Sequence, residues 1–203
     1  MFEPRACKLT IDGCSVDIEP DFRIMCEYSE AISTGDGKKA AELALRFFPF
    51  GLPLGVSEKA AARAMTDFYV SGLAPKTVEK KSSAMSCPEP VFDFAEDEPY
   101  FYAAYLSEYG INLNTTELHW LDFCALFRGL PDDCRLKQII GIRSQKLSDI
   151  KSSGEKARIS RLKKIYALGK RGRKYKNAAE RDRAVLSDIK RMHAEAAKRG
   201  EKS

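Results

Sequence analysis

Hydrophobic and polar residues alternate near the start of the chain, in the stretch "CKLTIDGCSVDIEPDFR". Its apolar positions are Leu9, Ile11, Val16 and Ile18. The pair Asp12-Gly13 lies between them, and alternation on both sides of Asp-Gly is typical of a β-hairpin with a tight turn. Because two strands alone are only marginally stable in water, we expect this hairpin to pack against helices.

Helical spacing replaces the alternation after Pro20. Asp21 is a predicted N-cap for a helix that continues through Ile32. After the break "STGDGKK", the stretch "AAELALRFF" predicts a short second helix, which the Pro- and Gly-rich "PFGLPLG" ends. A third helix is predicted to begin at Ser57. Residues 1–73 are therefore predicted to form one unit, a hairpin with helices.

Residues 74–96 interrupt this periodicity. The stretch "APKTVEKKSSAMSCPEPVFDFA" holds three prolines, three serines and three lysines, which is typical of a linker or a mobile loop. We predict a helical domain over residues 97–168 and a basic C-terminal tail or helix over residues 169–203. The predicted fold class is mainly α, a helical bundle with a small N-terminal β-hairpin.

Two aromatic-rich stretches predict helices in the second half of the chain. The first, "PYFYAAYLSEYG", ends at Gly110, a predicted left-handed C-cap. The second, "NTTELHWLDFCALFRGL", is predicted to begin at Thr115 or Thr116 and is apolar around most of its circumference. Such a helix is buried, either in its own core or against another molecule.

The aromatic side chains of these two helices allow two interpretations. A stripe of this kind is most often core, but Tyr and Trp are also enriched where a surface receives a partner. On the second interpretation the helices form an apolar groove for another protein. The candidate partner-binding residues are Tyr102, Tyr105, Trp120, Phe123 and Phe127.

Charge divides the chain into an acidic body and a basic end. Residues 151–203 carry 18 Lys and Arg against 6 Asp and Glu, a net charge of +12. The remaining 16 basic and 23 acidic residues give residues 1–150 a net charge of −7. A concentrated positive field attracts nucleic acid or an acidic protein surface, and both interpretations stay open. The basic patch consists of Lys170, Arg171, Arg173, Lys174 and Lys176.

No motif of catalysis or metal binding is evident in the sequence. It contains no P-loop, no strand-borne dinucleotide fingerprint and no zinc-protease motif. We expect His119 to be a structural imidazole bonded to a backbone group. The six cysteines lack the close pairs of zinc sites, and the acidic stretch "FDFAEDEP" lacks the spacing of a calcium loop. We therefore expect that the protein is not an enzyme and that it binds no cofactor and no metal.

The location of the protein is predicted from what the sequence lacks. No apolar run approaches the ~20 residues that cross a bilayer. The start "MFEPRACKLTIDG" has no hydrophobic signal core. We expect a cytoplasmic protein with reduced thiols that does not contact a membrane.

Three stretches carry a family resemblance: "YAAYLSEYGINL", "LHWLDFCALFRGLPDDCRLKQIIGIR" and "KARISRLKKIYAL". They resemble a family of tail-module proteins from phages of Gram-positive bacteria, catalogued as bacteriophage gene product fifteen. The stretch "IDGCSVDIEPDFR" also resembles the amino-terminal hairpin of phage tail-assembly chaperones. The matching positions are Tyr109, Gly110, Ile111, Leu113, Leu118, His119, Trp120, Phe123, Gly129, Leu130, Ile139, Ile140, Gly141 and Arg143.

The resemblance implies a role in assembling a long non-contractile tail. Such chaperones coat the helical tape-measure protein and give way as tail-tube subunits polymerise around it. The implied partners are therefore the tape-measure and tail-tube proteins, in the host cytoplasm. The opposite charges of the two parts would aid either self-association into a homo-oligomer or recruitment of the tail-tube protein. The alternative function is binding of nucleic acid through the basic patch.

Overall fold

The computed structural model describes Arg5, residues 7–73 and residues 90–169. These residues form a two-stranded antiparallel sheet and seven α-helices, which confirms the predicted mainly α fold with an amino-terminal hairpin. The elements are β1 (Lys8–Ile11), β2 (Cys14–Asp17), α1 (Phe22–Thr34), α2 (Gly37–Phe47), α3 (Glu58–Leu73), α4 (Glu98–Tyr109), α5 (Trp120–Gly129), α6 (Arg135–Ser144) and α7 (Ser153–Ile165).

The hairpin forms where the alternation predicted it. Leu9 pairs with Val16, and Ile11 pairs with Cys14. Asp12 and Gly13 close the turn with φ angles of 49° and 81°. Positive φ at both positions matches the right-handed twist of the flanking strands, and Asp-Gly adopts it at low cost. The hairpin packs against α3, as expected for a ribbon that is too small to be stable alone.

Local sequence determines the ends of α1. The Asp21 carboxylate accepts the Arg23 N–H at 2.7 Å, which confirms the predicted N-cap. Gly35 ends the helix in the left-handed conformation, with φ of 70°. The Asp36 carboxylate then caps α2 by accepting the Lys39 N–H at 3.0 Å. The break between α1 and α2 is therefore shorter than the stretch "STGDGKK" suggested.

The predicted start of α5 was wrong. This helix begins at Trp120, because the residues before it make strand-like hydrogen bonds instead of a helical turn. The Phe22 N–H donates to the Leu118 carbonyl at 3.0 Å, and the Trp120 N–H donates to the Pro20 carbonyl at 2.7 Å. His119 Nδ1 then accepts the Leu121 N–H at 3.1 Å. The His119 imidazole is thus bonded to a backbone group, as predicted.

The chain divides into two compact units. Among the described residues, the amino-terminal unit contains everything up to residue 73 together with residues 118–125. The carboxy-terminal unit contains residues 90–117 and 126–169, so the boundary falls within α5. This division differs from the predicted one, in which residues 97–168 form a continuous domain.

The carboxy-terminal unit is built on α4, α6 and α7. Helix α4 has Pro99 in its first turn and ends at Gly110, which has φ of 67° and was the predicted left-handed C-cap. Helix α6 packs against both α4 and α7, and it buries Leu136 and Ile139 completely. Ile159 is the buried side chain of α7. Most of the predicted linker and the last predicted helix lie outside the described residues.

Candidate partner-binding surfaces

Trp120 lies in the core of the amino-terminal unit. Its indole Nε1 donates to the Tyr69 carbonyl at 3.1 Å, and its ring stacks on those of Tyr69 and Phe123 at 5.5 and 5.8 Å. Phe123 in turn stacks on Phe22 at 4.7 Å. Since Trp120 and Phe123 have relative exposures of 0% and 1%, neither ring offers a surface to another molecule in this conformation.

Tyr105 is fully buried in the carboxy-terminal unit. Its ring meets that of Tyr109 edge-on at 5.9 Å, and the Tyr109 hydroxyl donates to the Leu126 carbonyl at 2.9 Å. Desolvation, with a smaller contribution from Glu108, raises the pKa of Tyr109 above its ordinary value. Tyr105 therefore belongs to the core. Tyr102, one turn earlier on α4, is half-buried.

Phe127 belongs to a cluster of four phenylalanine rings in the carboxy-terminal unit. Its ring centroid lies 5.2 Å from that of Phe92 and 5.1 Å from that of Phe101. Phe94 lies 5.2 Å from both Phe92 and Phe101. Phe94 and Phe101 are buried, whereas Phe92 and Phe127 are half-buried. This Phe127 cluster is thus anchored by two buried rings and presents the other two to the surface.

A cation lies at the edge of the Phe127 cluster. The Lys137 ammonium is 5.2 Å from the Phe127 ring centroid, within the range of a cation–π interaction. Of the five predicted partner-binding residues, Phe127 and Tyr102 keep exposed surface, and Trp120, Phe123 and Tyr105 do not.

The sequence did not predict that Phe92 and Phe94 belong to the Phe127 cluster. Both fall within residues 74–96, the predicted linker, yet they pack on the rings of α4 and α5. The available signal was the spacing of two phenylalanines two positions apart, directly before a helix entry. Apolar residues two positions apart are typical of an extended segment with one buried face.

The acidic stretch before α4 stabilises the fold through its own contacts. Asp93 accepts the N–H groups of Ala95 and Glu96 at 2.9 Å. The Glu96 carboxylate accepts the Gly169 N–H at 2.7 Å, and Asp97 is ion-paired. Across residues 7–73 and 90–169 the structure contains no group of three or more side chains arranged to hold a metal ion.

The predicted basic patch lies outside the described residues. It comprises Lys170, Arg171, Arg173, Lys174 and Lys176. The helix that precedes it is described and is also basic. Lys156, Arg161 and Lys164 are exposed on α7, and none of the three has an ion-pair partner within the described part of the chain. The helix that comes before the patch in the sequence therefore exposes positive charge.

The cysteines of the described segments are free thiols. Burial raises the pKa of the Cys26 thiol well above its ordinary value, and Cys124, Asp21 and Glu27 add smaller contributions, although the residue keeps some exposed surface. A raised pKa keeps the thiol protonated and weakly nucleophilic at neutral pH.

Residues 62–168 match the family model described as bacteriophage Gp15 protein. The chain belongs to this family. The match spans more than half of the 203 residues and includes the whole central resemblance, from Tyr109 to Arg143. No curated protein and no solved structure matches the chain. The resemblance of the amino-terminal hairpin to tail-assembly chaperones lies before the matched residues and stays a prediction.

Several residues that carry the family resemblance have a structural role. Gly110 ends α4, Trp120 and Ile139 are fully buried, and Arg143 forms a buried ion pair. The described helices of this Gp15 protein include none that is both long and apolar enough to span a bilayer.

Proposed function

We propose that this bacteriophage Gp15 protein is a non-enzymatic tail-assembly factor that binds the phage's tape-measure protein in the host cytoplasm. It keeps apolar helical segments of that protein from aggregating until tail-tube subunits replace it. Family membership supports a phage role. The resemblance of the amino-terminal stretch "IDGCSVDIEPDFR" to tail-assembly chaperones supports tail assembly.

The observation that carries the proposal is the partly exposed side of the Phe127 cluster. Phe92 and Phe127 present aromatic surface on a support of two buried rings, so their positions are held before a partner arrives. Pre-ordered aromatic side chains lose little conformational entropy on binding, and they are favoured anchors for an amphipathic helix. Lys137 at the edge adds a charge for an acidic residue on such a helix.

Site-specific crosslinking tests this proposal. The full chain, with benzoylphenylalanine in place of Phe127 or Phe92, is co-expressed with the tape-measure protein of the same phage and irradiated. We expect a covalent adduct with the tape-measure protein from both positions. The matched control carries the same group at Glu108, which is exposed on α4, and we expect no adduct.

Solubility of the tape-measure protein provides a second readout. We expect it to be recovered in the soluble fraction only when this chain is co-expressed. The proposal is wrong if the tape-measure protein is equally soluble alone and the wild-type chain does not co-purify with it.

A second candidate function is nucleic-acid binding. The exposed cations of α7, which lead into the basic patch, favour it, because lysine and arginine side chains neutralise phosphates. Gel shifts at increasing salt test this candidate. Binding that weakens steeply with salt and is lost when residues 169–203 are deleted would support it, whereas equal mobility at low salt would exclude it.

A further inference from the structure

A short segment of the amino-terminal unit exposes large apolar side chains. The connection between α2 and α3 has the sequence "FPFGLPLGV" over residues 48–56, and we name it the apolar loop. Phe50 and Leu54 within it are 87% and 102% exposed, and Leu45 on the last turns of α2 is 72% exposed. Single exposed apolar residues are ordinary, but three within ten positions form a candidate contact surface.

Phe50 and Leu54, the two exposed tips of the apolar loop, each lie in a hydrogen-bonded turn. The Gly51 N–H donates to the Phe48 carbonyl at 3.0 Å, and the Val56 N–H donates to the Pro53 carbonyl at 3.1 Å. Phe50 therefore lies at a central position of the first turn. Leu54 precedes Gly55 in the second turn, where Gly55 has φ of 97°. Glycine adopts this conformation without strain, which favours the turn that projects Leu54.

One end of the apolar loop is anchored to the core, and the other is bonded to the turn of the hairpin. Phe48 is buried, and its ring meets that of the fully buried Phe47 at 4.9 Å. The Phe47 carbonyl accepts the Glu19 N–H at 2.9 Å, and the Asp12 carboxylate accepts the Ser57 N–H at 3.4 Å. Because both ends are bonded to neighbouring elements and the loop itself contains two hydrogen-bonded turns, burial of the exposed side chains costs less loop entropy than in an unconstrained loop.

The size of this surface favours a small partner over a second copy of the chain. Three side chains of this type present on the order of 500 Å². A stable interface between two folded proteins buries about 800 Å² on each partner. Even with Leu45, the apolar loop therefore presents less surface than a stable symmetric dimer buries, but this area suits one face of a single helix.

The charges of α2, the helix that precedes the apolar loop, do not favour attraction to an anionic membrane. All three cations of α2 are paired with carboxylates of α1 or α2. The pairs are Lys38–Glu42 at 4.0 Å, Lys39–Glu30 at 2.7 Å and Arg46–Glu27 at 3.1 Å. Binding to an anionic surface is driven by unpaired cations, which α2 does not supply.

The backbone of the apolar loop favours a helix over an extended strand as the partner. The turns already use the Gly51 and Val56 N–H groups, so recognition depends on side chains and not on a β-ladder. Phe50 and Leu54 are four residues apart, at most about 14 Å along the chain. An apolar stripe over two helical turns extends about 11 Å, which both tips can contact together.

We propose that the apolar loop, through Phe50 and Leu54, docks on the apolar face of an amphipathic helix of the partner protein. This inference rests on the proposed function, since it assigns a second contact surface to the same partner. It lies before the residues that match the family model. The partner's helix contributes aliphatic side chains at i, i+3, i+4 and i+7 spacing.

The test compares two variants of the full chain. In Phe50→Ser/Leu54→Ser the exposed apolar tips are removed, and because both side chains are solvent-exposed we expect an unchanged circular dichroism spectrum and melting temperature. The matched control is Ile165→Ser, which removes a 63% exposed apolar side chain from α7. Each protein is titrated against purified helical fragments of the tape-measure protein from the same phage, with fluorescence anisotropy as the readout.

We expect the double variant to bind at least tenfold more weakly than the wild type, and the control to bind as the wild type does. Equal binding by the double variant would overturn the docking proposal and leave the proposed function intact. If the wild type binds none of the fragments and does not co-purify with the full-length protein, the proposed function fails, and the docking proposal fails with it.

Two further measurements identify other occupants of the apolar loop. Sedimentation of the chain alone that shows a dimer, lost in the double variant, would assign the loop to a second copy. Flotation with phosphatidylcholine or phosphatidylserine vesicles that depends on Phe50 and Leu54 would assign it to lipid. Either result overturns the helix proposal, whereas sedimentation that is the same for the wild type and the double variant, with no flotation of either, is the result we expect.

Discussion

The Asp97 carboxylate and the Arg143 guanidinium form a bidentate ion pair in the carboxy-terminal unit, with contacts of 2.6 and 2.9 Å. Their side chains are only 1% and 10% exposed. Arg143 also donates to the carbonyls of Tyr166 and Val91, and Asp97 accepts the Asp93 N–H at 3.0 Å. The pair therefore links the segment before α4, the end of α6 and the end of α7.

Arg143→Met should strongly destabilise the carboxy-terminal unit. The substitution leaves the buried Asp97 carboxylate without its compensating charge, and breaking a buried pair in this way costs about 3–5 kcal/mol. Urea unfolding of the full chain, followed by circular dichroism, measures the loss. Arg158→Met, which breaks an exposed pair with Glu155 on α7, is the control and should leave the midpoint unchanged. Equal midpoints for wild type and Arg143→Met would contradict the structural role of the pair.

Gly72→Ala should destabilise the amino-terminal unit. A Cβ at Gly72 would lie 2.7 Å from Cε2 of the buried Trp120 ring, and overpacking of this kind costs about 1–3 kcal/mol. Trp120 is the only tryptophan of the chain, so its emission reports directly on this site. We expect a lower unfolding midpoint together with a shifted emission maximum in the folded state.

Gly141→Ala is the matched control for this substitution. Gly141 lies within α6, and a Cβ there would meet nothing within 4 Å. Alanine in an unobstructed helix interior stabilises by about 0.5–1 kcal/mol relative to glycine. The two glycines should therefore respond in opposite directions, and a similar loss for both would show that the Trp120 contact is not the cause.

Tyr109→Phe should remove one hydrogen bond between α4 and α5. The Leu126 carbonyl would lose the hydroxyl donor that it now has at 2.9 Å, and such a loss costs about 0.5–1.5 kcal/mol. Chemical unfolding measures this effect. Tyr102→Phe is the control, because the Tyr102 hydroxyl makes no hydrogen bond to any described residue. A cost for Tyr102→Phe as large as that for Tyr109→Phe would count against the assignment.

Cys26 should make the folded state less stable at alkaline pH. Burial raises its pKa in the folded protein, so the folded state holds the thiol proton more tightly than the unfolded state does. The stabilisation is fully present below the unfolded pKa of about 8.5 and is lost as pH rises from there toward the folded pKa. The unfolding free energy of wild type should fall more steeply above pH 8.5 than that of Cys26→Ala. Parallel pH profiles would contradict this prediction.

The local elements of the fold could be read from neighbouring residues. Alternation around Asp12-Gly13 predicted the hairpin, the Asp21 carboxylate predicted the start of α1, and Gly110 predicted the end of α4. Each depends on contacts within a few residues, which a sequence pattern records directly. The predicted start of α5 was wrong for the opposite reason. Hydrogen bonds to Pro20 and Phe22, nearly one hundred residues away, keep residues 118–119 from forming the first turn of a helix.

The candidate site was only partly predictable. The sequence identified aromatic residues that pack in the two units. It could not separate buried from exposed ones, because both occur at the same helical spacing. Trp120, Phe123 and Tyr105 proved to be core, and Phe127 kept exposed surface. The exposed Phe50 and Leu54 were not recognised, because Pro- and Gly-rich turns predict a loop without indicating which of its apolar side chains face solvent.

By itself, the sequence determined the class of the fold, the hairpin, the start of α1, the end of α4 and the family, since these follow from local propensity and from motif residues that are read in order. Only the tertiary structure decided that Arg143 neutralises Asp97, that Phe92 and Phe94 complete the Phe127 cluster, and which rings remain exposed. These properties depend on packing between segments that are distant in the chain. Whether a side chain is buried depends on how these segments pack together, and it cannot be read from any one stretch of residues.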